Sequence, residues 1–369
     1  MISRRSLLIA GTAPLAACRR KRGEGFNGYA FVANEEGRAV AAVDLTAFAV
    51  ARHIRLDDAP SQVLAHTTTG FVYCLTPARG VIYEIDSGTL AIRRKLALRA
   101  PATRMILEPG GRVIWVLSAS SRRLLRVDLE PLRVSDTIAL PPQPTGFDLS
   151  EYTGLAAVVH GLAGSVSFID LAKGHVGATV QLRGQLGAIR FQSDGKALLV
   201  ANTEARQLTV LDSLKAAVVV HLPLSIRPDH FCFHPNGGQL FITGEGRDAV
   251  VIVYPYYVPE VAETVLAGSR PGAMEATDNH LFVTNPGAGD VSILNISRRR
   301  LIAVASVGAD PGFVKVTPDG QYALVLNRTS GDMAVIRIAG LQPDRRKSAA
   351  LFNLIPVGSK PVDAVVVSV

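Results

Sequence analysis

Short apolar runs that end in a polar residue recur along this chain at a nearly fixed interval. They are Phe31–Asn34, Tyr73–Thr76, Trp115–Ser118, Ala157–His160, Leu199–Asn202, Phe241–Gly244, Phe282–Asn285 and Leu324–Asn327. Their last residues stand at 34, 76, 118, 160, 202, 244, 285 and 327, so the step is 42 except for one of 41. Ten residues after each, a second apolar run ends, at Asp44, Asp86, Asp128, Asp170, Asp212, Tyr254, Asn295 and Arg337. A third strand follows, as in 50–56, 92–98 and 302–307. A fourth then comes after Pro60, Pro101, Pro144, Pro228, Pro271, Pro311 or Pro361, with Gln185 in the remaining slot. Turn residues such as Asp194-Gly195, Asn236-Gly237 and Asp319-Gly320 close the unit.

Four short strands per 42 residues define a β-propeller blade. A helical solenoid of this period needs apolar spacing of 3.6, whereas these segments alternate with period two or are apolar throughout. Thirty-three glycines with 6% aromatics fit many short strands and tight turns. The expected fold is therefore all-β, a β-propeller of four-stranded antiparallel blades. The count is eight; seven is the alternative if the last and longest unit, with its basic insertion near 342–348, is irregular. The chain enters on the second strand of a unit and ends on a lone first strand, 361–369. That strand is expected to complete the N-terminal blade and close the ring.

The runs Phe31-Val-Ala-Asn34, Leu199-Val-Ala-Asn202 and Phe282-Val-Thr-Asn285 resemble the motif of the YVTN β-propeller repeats. So does the frame from Val307 to Gly320. The resemblance covers everything after residue 28 and departs at Thr76, Ser118, His160 and Gly244, where the asparagine is absent. It implies the propeller fold. It also implies similarity to lactonase-type and nitrite-reductase haem-type propellers, in a family whose functions are mixed.

The first 17 residues carry Arg4 and Arg5 before an apolar stretch of twelve, Ser6–Ala17. That is short for a membrane span and suits an export signal. Ser3–Leu8 resembles a twin-arginine signal, and Leu15-Ala16-Ala17-Cys18 resembles a bacterial lipobox. The organisation expected is a signal at 1–17, a lipidated basic tether at 18–28 starting at Cys18, and one propeller domain at 29–369. The localisation expected is that of an exported lipoprotein held at a membrane of the periplasm or cell envelope. The formal charge of +8 falls to +6 once Arg4 and Arg5 leave, and Arg19, Arg20, Lys21 and Arg22 lie in the tether. The propeller itself is close to balanced, and no basic stripe with aromatics marks it as a nucleic-acid binder. Cys74 and Cys232 fall in different repeats and are read as two separate buried thiols.

Positions that break the repeat are the functional candidates. The recurrent Asn and Asp are assigned to turn backbone. One column of the innermost strands reads Ala65, Ile106, Asp148, Arg190, Cys232, Glu275 and Lys315, flanked by apolar residues on both sides. Strand alternation turns this column toward the central channel. Asp148, Arg190, Glu275 and Lys315 are therefore expected to form an ion-paired ring, serving a ligand or merely lining solvent, with His160 as a further ligand group. In His230-Phe-Cys232-Phe-His234 three metal-ligating side chains share one strand face. They span about 13 Å, too far for one ion without ligands from elsewhere. No nucleophile elbow, phosphate loop or zinc helix is present.

The reading that follows is a binding or scaffold module for a protein, glycan or small ligand, presented on a loop face, with no cofactor called for. The alternative is a lactonase-like hydrolase using Arg190, Glu275 and Arg104 at the channel mouth, or a metal- or haem-binding enzyme.

Overall fold

The structure is a computed structural model that describes residues 25–66, 68–255, 259–341 and 351–369. Residues 1–17, expected to be an export signal, Cys18, most of the expected tether at 18–28 and the 342–348 insertion lie outside the described residues. Eight four-stranded antiparallel sheets are present among them, and no helix long and apolar enough to cross a membrane. The fold is an eight-bladed β-propeller, which excludes the seven-bladed count.

Blade 1 holds strands Gly28–Asn34, Ala39–Asp44 and Ala49–Arg55, and its innermost strand is the C-terminal Pro361–Ser368. Blades 2 to 8 follow as residues 62–97, 104–139, 144–181, 186–223, 227–266, 274–306 and 311–356. Within each of these, chain order runs from the innermost strand outward. The closing strand pairs with Gly28–Asn34 over Gly28↔Ser368 to Asn34↔Pro361. The terminal backbones also meet, as the Val369 amide donates to the Asn27 carbonyl at 3.3 Å.

Burial across one blade explains its composition. In blade 2 the second and third strands, Phe71–Thr76 and Val81–Asp86, are almost wholly buried. The outermost, Ala91–Ala97, alternates between exposed and half-buried. A middle strand has a neighbouring sheet on both faces, so both must be apolar. The core is accordingly eight separate clusters, one at each junction between successive blades. No blade covers its own faces, and closing the ring is what completes burial.

The recurrent polar residues do two different jobs. The Asp that ends four of the third strands, Asp44, Asp86, Asp170 and Asp212, folds the next turn. The Asp86 carboxylate, for example, accepts the amides of Gly88 at 2.9 Å and Thr89 at 2.8 Å. Hydrogen bonds to the charged form, led by the Thr46 hydroxyl at Asp44, the Lys173 ammonium at Asp170 and turn amides at Asp86 and Asp212, hold these carboxylates below the usual range. Three of the four Asn that end a second strand instead latch the loop arriving from the preceding blade, while Asn285 bonds Asp290 and Ser292 of its own blade. Asn34, Asn202 and Asn327 donate from Nδ2 to the carbonyls of Val357, Arg183 and Val307 at 2.8–3.0 Å.

Candidate functional site: the central channel

The innermost strands stand around the axis in register. The residue opposite the middle of the second strand enters the blade junction, as Phe147 does opposite Val158 and Val314 opposite Val325. The residues on either side of it face the channel. A mid-channel ring results: Val365, Leu64, Ile106, Asp148, Arg190, Cys232, Glu275 and Lys315, from blades 1 to 8 in turn. Blade 2 supplies Leu64 and not Ala65. The His66 amide closes the turn on the Phe71 carbonyl just as Glu108 closes on Val113, which puts Leu64 level with Ile106. Two residues earlier on each strand, nearer the loops that enter the blades, stand Gln62, Arg104, His230 and Asp363.

The charges pair locally without closing into a ring. Lys315 Nζ lies 2.6 Å from Glu275 Oε1, between blades 8 and 7. Arg190 lies 3.6 Å from Asp148 Oδ1, between blades 5 and 4, which is an ion pair but too long for a hydrogen bond. Cys232 separates the two pairs on one side, and the apolar arc of Val365, Leu64 and Ile106 separates them on the other. The acids also tie blades together. Asp148 Oδ2 accepts the Phe191 amide at 2.8 Å, and Asp363 Oδ2 accepts the Val63 amide at 2.9 Å. Gln62 does the same through both ends of its amide, bonding the Met105 carbonyl and N–H at 2.8 Å.

Burial sets the protonation chemistry. It pushes the Asp363 carboxyl up to about 7, against the amides of Val63 and Ala364 and the charges of Lys315 and Arg104. It raises Asp148 too, opposed by Arg190. It pushes the Cys232 thiol up to about 12. Arg104 is pulled down by burial and by the like charge of Arg190. Strand register places Arg104 on the channel side, two residues before Ile106.

Several candidates sit elsewhere than expected. His160 is fully buried and does not reach the channel. Its Nδ1 lies 2.9 Å from the Pro142 carbonyl and its Nε2 3.0 Å from Ser167 Oγ. It holds the incoming loop as the asparagines do, and Ser118 Oγ does likewise at the Pro101 carbonyl, at 2.6 Å. Gly244 lacks a side chain because a Cβ there would stand 1.8 Å from the Arg227 carbonyl oxygen.

His230, Cys232 and His234 share a strand face but occupy different levels of the channel. His230 is beside Asp229 at the entry, and Cys232 is at mid-channel. His234 is at the far turn, on Asn236 and the Asp278 carbonyl. Among the described residues no group of three or more His, Cys, Asp or Glu is placed to hold a metal. Both remaining cysteines are free thiols.

At the far mouth a cleft of about 450 Å³ reaches up to the mid-channel ring. Ile106, Leu149, Phe191 and Phe233 give it apolar walls, and Asp148 and Arg190 form its inner end. On the opposite face a cleft of about 730 Å³ lies between blades 6 and 7, lined by His230, Glu245, Arg247, Asp248 and Arg270. Sequence reasoning missed Asp363 and Gln62. Both stand two residues past the proline that opens their strand, the place His230 holds after Pro228, and that signal was available.

No protein-family profile matches the chain, and no curated protein does. Solved structures match over nearly its whole length. The dihydro-haem d1 dehydrogenase NirN, in complex with DHE, superposes with a TM-score of 0.77 at 15% identity, covering 94% of this chain and 77% of that one. Apo AztD from Citrobacter koseri gives 0.70 at 13% identity, covering 93% and 98%. A putative 6-phosphogluconolactonase from Bacteroides fragilis gives 0.58 at 16%, covering 84% and 97%. At these identities the likeness establishes the β-propeller fold alone.

Proposed function

We propose that this chain is an exported, membrane-tethered propeller of the YVTN-repeat type that binds a ligand rather than transforming one. One observation carries the reading. The carboxylates of the two inner channel levels are committed to joining blades: Asp148 to Arg190 and the Phe191 amide, Glu275 to Lys315, Asp363 to the Val63 amide. Groups fixed in this way shape and charge a cavity but are poorly free to move through a catalytic cycle. The open space beside them, the cleft at the far mouth, has the size of a small-ligand site. The first described strand, Gly28–Asn34, starts on that same face. A lipid on Cys18 would hold that face toward the membrane and leave the opposite loop face, with its cleft between blades 6 and 7, for a larger partner.

A second reading has its own support. A carboxyl pushed up to about 7 by burial at the same channel level as Arg104, as Asp363 is, offers a general acid–base group suited to opening a lactone.

Two measurements test the proposal. Cell fractionation of wild type and Cys18→Ala should move the protein from the membrane to the soluble fraction. A thermal-shift screen of small metabolites should find a stabilising compound that comes through unchanged. A wild-type protein that is soluble, or whose only active compounds are turned over, contradicts it.

A further inference from the structure

The binding reading leaves one group unused. Arg104 is half-buried in the channel, and its guanidinium makes no hydrogen bond or ion pair with any described residue. Arg190, one level deeper, is held only by the 3.6 Å approach to Asp148, and its side chain is 47% exposed to the channel. Each guanidinium offers five N–H donors in a planar fork suited to a carboxylate. Donors that no protein acceptor takes up are open to a ligand, and two such cations within reach of each other's charge repel. An anion between them takes up the donors and relieves the repulsion.

We infer that the channel carries a site for a small organic monoanion, a carboxylate on an aliphatic body, gripped by Arg104 and Arg190. The rest of the channel specifies that ligand. Half-buried Leu64, Ile106 and Val365 form the apolar arc of the mid-channel ring and suit an apolar body. The charges argue for one negative charge over two. Arg104, Arg190 and Lys315 face Asp148 and Glu275, with Asp363 about half ionised near neutrality, which leaves the channel at one positive charge or less. The inference rests on the binding reading and deepens it.

The test is isothermal titration of the full-length protein with octanoate, octanamide and inorganic phosphate at low salt. Octanoate should bind, and octanamide, which has the same body without the charge, at least about tenfold more weakly. Arg104→Gln and Arg190→Gln should each weaken octanoate by about tenfold or more. Arg99→Gln, an exposed arginine on the loop face, should leave it unchanged. Should Arg104→Gln fail to fold by circular dichroism, Arg104→Lys replaces it. That variant keeps the charge but loses the fork, and the same loss is expected. Equal binding of octanoate and octanamide, unaltered affinity in the Arg104 variants, or tighter binding of phosphate than octanoate would overturn the inference. A different compound that binds independently of Arg104 removes this site but leaves the binding reading standing. Lactone turnover removes the binding reading itself.

Discussion

Replacing His160 tests whether the polar end of the repeat is a latch between blades. In His160→Ala the Pro142 carbonyl loses its buried partner, which costs about 1–3 kcal/mol. The space left by a fully buried ring adds a cavity penalty. Ser167 keeps Thr179 as a partner at 3.0 Å, so its loss is small. The total expected is about 2–4 kcal/mol, a large share of a typical domain's stability. His160→Asn should recover about 1–2 kcal/mol of this, because Asn34, Asn202 and Asn327 already make the same bond to the same loop. Equilibrium urea denaturation followed by tryptophan fluorescence reads both, since Trp115 lies buried in the junction next to blade 4. The pH dependence supplies a second signature. Burial depresses the His160 pKa below 6.5, so the unfolded chain takes up the proton first. The stability it confers is complete above about pH 6.5 and drains away as the pH falls toward its folded value; His160→Asn should lack that loss. An alanine variant within about 0.5 kcal/mol of wild type, or an asparagine variant no better than alanine, refutes the latch.

Asp363 should act in the opposite sense. Its folded pKa of about 7 lies above the unfolded value of 3.8, so its contribution is fully present below about pH 4 and lost as pH rises through 7. Asp363→Asn keeps an oxygen for the Val63 amide and should gain on wild type at pH 8 relative to pH 5, by thermal midpoint; a parallel pH profile contradicts this. Arg94→Ala should destabilise by about 3 kcal/mol in urea, because it strips the fully buried Glu84 of contacts at 2.7 and 2.9 Å. Arg93 stays 3.1 Å away, which keeps the loss at the lower end for a broken buried pair. A loss under about 1 kcal/mol means Arg93 alone suffices. Deleting 361–369 should abolish cooperative unfolding by exposing the edge of Gly28–Asn34 and opening two junctions. Supplying that strand as a synthetic peptide should restore it, and a truncated chain that still unfolds in one sharp transition denies that the strand closes the ring.

The fold was legible because a blade's needs are written locally. Apolar middle strands, an Asp that folds four of the turns and a proline opening most inner strands repeat at a step the eye can count. Ring closure was legible too, from a chain that starts on one strand of a unit and ends on another. The site was less so. Spacing showed that Asp148, Arg190, Glu275 and Lys315 share a level, but only the register showed that they pair two by two. His160 looked like an exception worth a ligand, when it is the same latch built from a larger side chain. The His230–His234 run has the right parity for a shared face, yet a strand spaces alternate residues along the channel and carries them apart. Leu64 was displaced by one because the glycine of its turn, Gly70, stands one place later than Gly111 does after Ile106.

Whether the channel holds a ligand or transforms one can be read from a single experiment. Purified protein is incubated with a panel of lactones and their hydrolysed carboxylates, and thermal midpoint and ring opening are followed in the same samples. The account predicts stabilisation by carboxylates, lost in Arg104→Gln, with ring opening no faster than in buffer. Lactone opening above background that disappears in Asp363→Asn would contradict it and make the channel an active site.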